Sequence, residues 1–227
     1  MSKLSYAHGT SMTPLIGETI GENLRRIVER FPDREAIVVR WQNARLTYRE
    51  FWHQTTLIAK GLLALGMQVG DRLGIWSPNR WEWAIVQYAT ARIGVILVNI
   101  NPAYLADELG YALRKSGVRV LIRAAKFKSC DYGAMIGSVR HDCPTLEHDI
   151  EIDSQWQSLI ECGSSITVVQ LTEIEQRLQF DDPINIQYTS GTTGFPKGAT
   201  LTHHNILNNG YFVGQAMGYT EHDRVCV

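Results

Sequence analysis

The sequence has no excess of charge of either sign. Its 22 Lys and Arg are matched by 23 Asp and Glu, for a formal net charge of −1 at pH 7. The basic residues lie scattered among acids, which argues against a nucleic-acid partner, because counterion release needs clustered Lys and Arg. Long apolar runs are also missing. The longest clear one, Gly94–Val98, is far short of the roughly 20 residues that cross a bilayer. Met1 to Ile16 shows no basic start followed by an apolar core. No signal peptide is read there, and the expected location is cytoplasmic. Peripheral contact with a bilayer stays open.

Cysteines are few: Cys130, Cys143, Cys162 and Cys226, with no Cys-x-x-Cys pair. His141 beside Cys143 would need two further ligands to hold zinc, so no metal site is read. The thiols are expected to be free and buried in a reducing compartment. No internal repeat, no low-complexity segment and no Gly-x-Gly-x-x-Gly after an early strand is present, which disfavours dinucleotide binding.

What remains is ample for a core. A hydrophobic content of 44% over 227 residues fits one large domain or part of a bigger one. Residues 1–18 read as an irregular lead-in. Thr19-Ile20-Gly21-Glu22 is a capping box opening a helix with the stripe Ile20, Leu24, Ile27 and Phe31, stopped by Pro32. Glu35–Val39 reads as a strand. Thr47-Tyr48-Arg49-Glu50 is a second capping box, opening a helix with Phe51, Thr55, Ile58, Leu62 and Leu65 on one face. Leu73–Trp76 is a strand. A helix from Pro78-Asn79 to Ile93 is apolar on two faces and expected between layers. Val95–Val98 is a continuous apolar strand of the kind covered on both sides in a parallel sheet.

Asn101-Pro102 makes a turn. A helix over Leu105–Lys115 carries Asp107 and Glu108 first and Arg114 and Lys115 last, as the helix dipole favours, with Gly117 as cap. Val118–Ile122 is a strand. Beyond it a helix near 130–140, a strand near 149–152 and a short helix over Thr172–Leu178 are read. The alternation predicts an α/β protein with layered, largely parallel sheets and helices on both faces.

The chemistry concentrates in Tyr188-Thr189-Ser190-Gly191-Thr192-Thr193-Gly194-Phe195-Pro196-Lys197-Gly198. Glycines let backbone N–H groups turn toward an anion, hydroxyls can donate to phosphate oxygens, and the lysine adds a point charge. A strand over Ile184–Tyr188 precedes the loop. A helix from His203 onward, with Ile206, Gly210, Val213 and Met217 as its stripe, follows it. Strand, glycine-rich loop and helix is a recurrent phosphate-binding order. Lys197 follows Pro196 rather than a glycine, so the spacing of the common NTPase loop is not met.

The run Thr189–Gly198 resembles the signature loop of the adenylate-forming, AMP-binding enzymes. Within them the chain is most similar to medium- and long-chain fatty acyl-CoA synthetases, through Tyr6-Ala7-His8-Gly9, Pro14-Leu15-Ile16-Gly17, Ser77–Trp83 and Asn99–Tyr104. The resemblance implies ATP and Mg²⁺ as cofactors, and fatty acid and coenzyme A as co-substrates. It implies ATP-phosphate contacts from Thr189, Ser190, Gly191, Thr192, Thr193, Gly194 and Lys197, with Lys197 and Thr193 nearest the chemistry. Leu201-Thr202-His203 matches a segment that runs beside the substrate pocket in relatives. That makes His203 a substrate-contact candidate, against the alternative of a partly solvated residue that starts the helix. Tyr104 is read as a packing residue.

Members of the family are more than twice as long. The whole chain, 1–227, is therefore expected to be the N-terminal part of the adenylation domain, inactive alone. An open sheet edge and a half-covered apolar face would leave it prone to self-association. The competing reading is a stand-alone nucleotide- or anion-binding module; a third is an interaction scaffold with a vestigial loop.

Overall fold

The computed structural model describes residues 12–189 and 196–227. The chain opens with α1 (Ile20–Arg30), the hairpin β1 (Glu35–Val39) and β2 (Ala44–Thr47), and α2 (Tyr48–Ala64). Both capping boxes form: the Thr19 and Thr47 hydroxyls accept from the backbone N–H of Glu22 and Glu50, whose carboxylates reach back to the capping residues. Two N-terminal amides of each helix are thereby satisfied by the local sequence alone.

Next come β3 (Arg72–Trp76), α3 (Trp81–Arg92), β4 (Ile96–Ile100), α4 (Ala106–Ser116) and β5 (Val120–Arg123). A short hairpin, β6 (Lys126–Phe127) and β7 (Cys130–Asp131), leads into α5 (Tyr132–Val139) and β8 (His148–Glu151). Then follow α6 (Ile152–Cys162), α7 (Val168–Glu175), β9 (Pro183–Thr189), β10 (Lys197–Thr202) and α8 (His203–Ala216).

Six strands form one sheet in the order β10-β9-β4-β3-β5-β8. The β9-β4-β3-β5-β8 ladders are all parallel, and β10 alone runs antiparallel, against β9. The expected largely parallel α/β sheet is what forms. Helices cover both faces, and strand alternation divides the core between them. Leu73 and Ile75 of β3, Leu97 of β4 and Val120 and Ile122 of β5 pack with α1, α2, α3, α6 and α7. Trp76, Val98, Ile100 and Leu121 face the other way, onto Leu109 and Leu113 of α4 and Tyr132 and Ile136 of α5.

Helix α3 lies between layers as expected, but it buries charge as well as apolar surface. Arg92, 2% exposed, donates to Glu175 of α7 at 2.6 Å and to the Thr55 and Thr56 hydroxyls of α2 at 2.9 and 2.8 Å, and its guanidinium lies 3.6 Å from the Trp52 ring centroid. Arg80 forks onto Glu82 with two 2.8 Å bonds and reaches Asp153 at 2.9 Å, joining the starts of α3 and α6. Its proximity pulls the Asp153 carboxyl below its usual range.

Several elements depart from the sequence expectation. The stripe Ile152, Trp156, Leu159 and Ile160 forms α6, a helix the pattern had not marked, and β2 is likewise added. The helix expected over Thr172–Leu178 starts four residues earlier, because Thr167 and Gln170 form a third capping box. The loop is not followed directly by a helix: β10 intervenes and makes the motif a hairpin. The cysteines are free, but Cys162 and Cys226 are exposed rather than buried; Cys143 is buried and Cys130 half-buried.

Candidate phosphate-binding site

Strand β9 carries the phosphate-loop sequence to the carboxyl edge of the parallel strands. Ligands of open α/β sheets collect at that edge, in crevices beyond the strand ends. Thr189 ends β9 and Lys197 begins β10, and the two are direct partners in the ladder. The Thr189 hydroxyl lies 3.4 Å from the Lys197 carbonyl. Both residues are exposed. The sequence-predicted contacts Ser190, Gly191, Thr192, Thr193 and Gly194 lie outside the described residues. The structure thus brings Thr189 and Lys197 together as the two feet of the loop.

Gly198, next to Lys197, packs closely onto the strand. A Cβ there would lie 3.0 Å from Ile186 Cγ2 and 3.6 Å from the Tyr188 ring. Helix α4 supports the hairpin from below. The Tyr188 hydroxyl donates to the Ala112 carbonyl at 3.2 Å and accepts from the Ser116 hydroxyl at 2.7 Å. Burial pushes the Tyr188 phenol above its usual range, which keeps it a donor. The Tyr111 hydroxyl donates to the Pro196 carbonyl at 3.3 Å.

Beside the hairpin, a cleft of about 270 Å³ is lined by Trp83, Asn99, Asn101, Gln187 and Tyr188, among others. That is just below the range of roughly 300–1,000 Å³ found for small-molecule sites. Among the described residues no charged side chain lines the cleft. Asn99 donates to Gln187 at 3.0 Å, and its own Oδ1 is buried without a partner among the described residues. Two core aromatics fix the rim: Trp76 Nε1 donates to the Asn101 carbonyl at 3.0 Å and the Tyr132 hydroxyl to the Pro102 carbonyl at 2.6 Å. Their rings stack, with centroids 3.5 Å apart. Tyr104 is half-buried and packs against the α4 side of the core, as expected.

His203 does not face this cleft. It is the first residue of α8, behind the Thr202 cap, and is fully buried rather than partly solvated. Its Nδ1 accepts the Ile20 backbone N–H at 3.1 Å, and Nε2 has no partner among the described residues. The ring is enclosed because α1 docks over the start of α8. Burial lowers its pKa to about 4, against the pull of Asp182 and Glu22.

Asn99, Gln187, Tyr111 and Ser116 were not singled out by sequence. Asn99 carried a signal: it is the one polar residue in the otherwise apolar strand Ile96–Ile100. Among the described residues no group of three or more His, Cys, Asp or Glu is placed to hold a metal ion.

A mostly parallel sheet with helices on both faces, and a cleft beside the paired Thr189 and Lys197 at its carboxyl edge, define the class: an open α/β protein. The family model for AMP-binding enzyme matches residues 24–227, and the chain belongs to that family. It is 44% identical to a zebrafish (Danio rerio) mitochondrial medium-chain acyl-CoA ligase, the alignment covering 98% of this chain and 40% of the relative. With the mouse (Mus musculus) counterpart it shares 39% identity, over 94% of this chain and 38% of that protein. Among solved structures it is similar to the inhibitor-bound N-terminal domain of FACL13 from Mycobacterium tuberculosis, with TM-score 0.70, 30% identity and coverage of 82% of this chain and 44% of that one. The chain thus spans about two fifths of the length of the curated relatives it matches. Both relatives are named as mitochondrial, which lends nothing to the cytoplasmic expectation. Among the described residues no helix is long and apolar enough to cross a membrane.

Proposed function

We propose that this chain is the phosphate-binding part of an ATP-dependent fatty acyl-CoA synthetase. In the reaction a carboxylate attacks the α-phosphate of ATP, giving acyl-adenylate and pyrophosphate, and the acyl group then passes to the thiol of coenzyme A. The observation that carries the reading is the direct pairing of Thr189 with Lys197 at the carboxyl edge of the sheet, the residues that flank the hydroxyl- and glycine-rich run of the sequence.

The difficulty of the first step is negative charge. Preorganised donors around the β- and γ-phosphates stabilise what builds up on the leaving pyrophosphate. Backbone N–H groups and hydroxyls of Thr189, Ser190, Gly191, Thr192, Thr193 and Gly194 fill that role, and Lys197 supplies a cation at the terminal phosphate. Magnesium favours oxygen ligands and is bound largely through substrate phosphates and water. The hydroxyl-rich loop fits a Mg²⁺ that arrives on ATP, which would neutralise phosphate charge. Asn99 and Gln187 offer neutral hydrogen-bonding groups in the adjoining cleft. His203 enters this reading as a support of the α1–α8 junction.

A second reading, nucleotide binding without chemistry, is favoured by the small size of the cleft. Titration with Mg·ATP, and pyrophosphate release in the presence of fatty acid and ATP, test both. Saturable binding that Lys197→Ala or Gly191→Trp weakens supports the phosphate loop. Pyrophosphate release dependent on fatty acid identifies an enzyme, and binding without release identifies a module. Binding indifferent to both substitutions overturns the loop assignment.

A further inference from the structure

We propose that Tyr111 is a positioning residue for the phosphate loop, tying the residue before Lys197 to helix α4. Pro196 has no backbone N–H, so its carbonyl is the only main-chain group through which hydrogen bonding can hold it. The Tyr111 hydroxyl donates to that carbonyl at 3.3 Å. At the other foot, Tyr188 sends its hydroxyl back to the same helix, to the Ala112 carbonyl and the Ser116 hydroxyl. The two rings meet edge-on, centroids 6.5 Å apart at 63°. Both ends of the loop are therefore held by one helix.

That helix is a firm anchor. Leu109 and Leu113 of α4 are fully buried, the Glu108 carboxylate accepts the Leu105 backbone N–H at 3.0 Å, and Gly117 closes its end with φ 61°. A residue that contacts phosphate needs a fixed base, since donors must sit within about 0.5 Å of the productive geometry. Tyr111 fixes the end that carries the lysine, and Tyr188 the end that carries Thr189.

The inference rests on the phosphate-loop reading, and the test separates the two. Tyr111→Phe removes one hydroxyl and keeps the ring. In the 227-residue chain, amide exchange near Lys197 should rise while exchange in β3 and β4 stays unchanged. Mg·ATP affinity should fall about fivefold, the scale of one neutral hydrogen bond. In a double-mutant cycle with Lys197→Ala the losses should be less than additive, which a general loss of stability would not produce. Unchanged exchange near Lys197, or additive losses that track the melting temperature, overturns the role of Tyr111. Normal affinity in Tyr111→Phe alongside weakened Lys197→Ala overturns the positioning role and leaves the loop reading standing. No saturable Mg·ATP binding by the unmodified chain overturns the loop reading itself.

Discussion

His203 accepts the backbone N–H of Ile20 across 183 positions of sequence. One buried ring thus seats the first helix on the last. Because Nδ1 is the acceptor, the ring proton resides on Nε2. The ring must stay neutral, since protonating Nδ1 would break the bond.

The pH dependence follows. The folded pKa, about 4, lies below the unfolded value of about 6.5. The stabilisation is therefore complete above about pH 6.5 and is lost as pH falls toward 4, up to about 3 kcal/mol from this group. Asp182 and Glu22 face the ring and oppose part of the shift. Urea unfolding at pH 7 and pH 4.5 should show a drop that His203→Asn, which keeps an acceptor near Nδ1, reduces. An identical drop in the variant would remove His203 as its source.

Helices α2 and α6 touch at backbone level. A Cβ on Gly61 would press into the carbonyl oxygen of Leu159 and lie 3.1 Å from its carbon, and one on Gly163 would lie 2.6 Å from the Gly61 nitrogen. Gly61→Ala should cost about 3 kcal/mol, through overpacking against a rigid backbone. Gly210, inside α8, has open space where a Cβ would go. Gly210→Ala should stabilise by about 0.5–1 kcal/mol. Denaturant midpoints of the pair would decide, and equal shifts of one sign would refute the contrast.

The sequence showed most clearly what local chemistry decides. Thr19 with Glu22 and Thr47 with Glu50 mark helix starts that need no tertiary help, and Val95–Val98 is too apolar to lie anywhere but between two layers. Strand β10 was hard to see because Lys-Gly-Ala-Thr-Leu-Thr has one large apolar residue and only the short alternation Ala-Thr-Leu-Thr; it exists because β9 offers an edge. The burial of His203 depends on α1 arriving from the far end of the chain, which no local window contains. The Thr189–Gly198 run stood out by its composition, but the Tyr111–Pro196 hydrogen bond could not be read from it, because the two residues lie 85 positions apart.

Arg92 and Glu175 form a buried ion pair, 2% and 8% exposed at their side chains. Glu175→Gln keeps the shape but weakens the partner of a desolvated guanidinium. Arg92→Ala leaves the buried Glu175 carboxylate with the half-exposed Arg25 at 3.5 Å in place of a partner at 2.6 Å, and should cost about 3 kcal/mol. The double variant Arg92→Met, Glu175→Leu should recover much of that loss, since neither charge is then left alone. Thermal unfolding of the three variants and the parent checks this; a double variant no more stable than Arg92→Ala would show that the pair does not act as a unit.

Lys197 separates binding from stability. Its side chain is exposed at the start of an edge strand, so Lys197→Ala should change stability by no more than about 0.5 kcal/mol. Affinity for Mg·ATP should nevertheless fall on the order of tenfold, since hydrogen bonds to charged groups contribute about 1.5–3 kcal/mol. Lys197→Arg keeps the charge but carries a planar fork in place of a compact ammonium, and should recover only part of the affinity. The loss should shrink as salt rises, because an exposed charge acts through solvent. Calorimetric titrations at low and high salt, beside melting curves of the same samples, measure both quantities. A fall in melting temperature matching the fall in affinity would make Lys197 a structural residue.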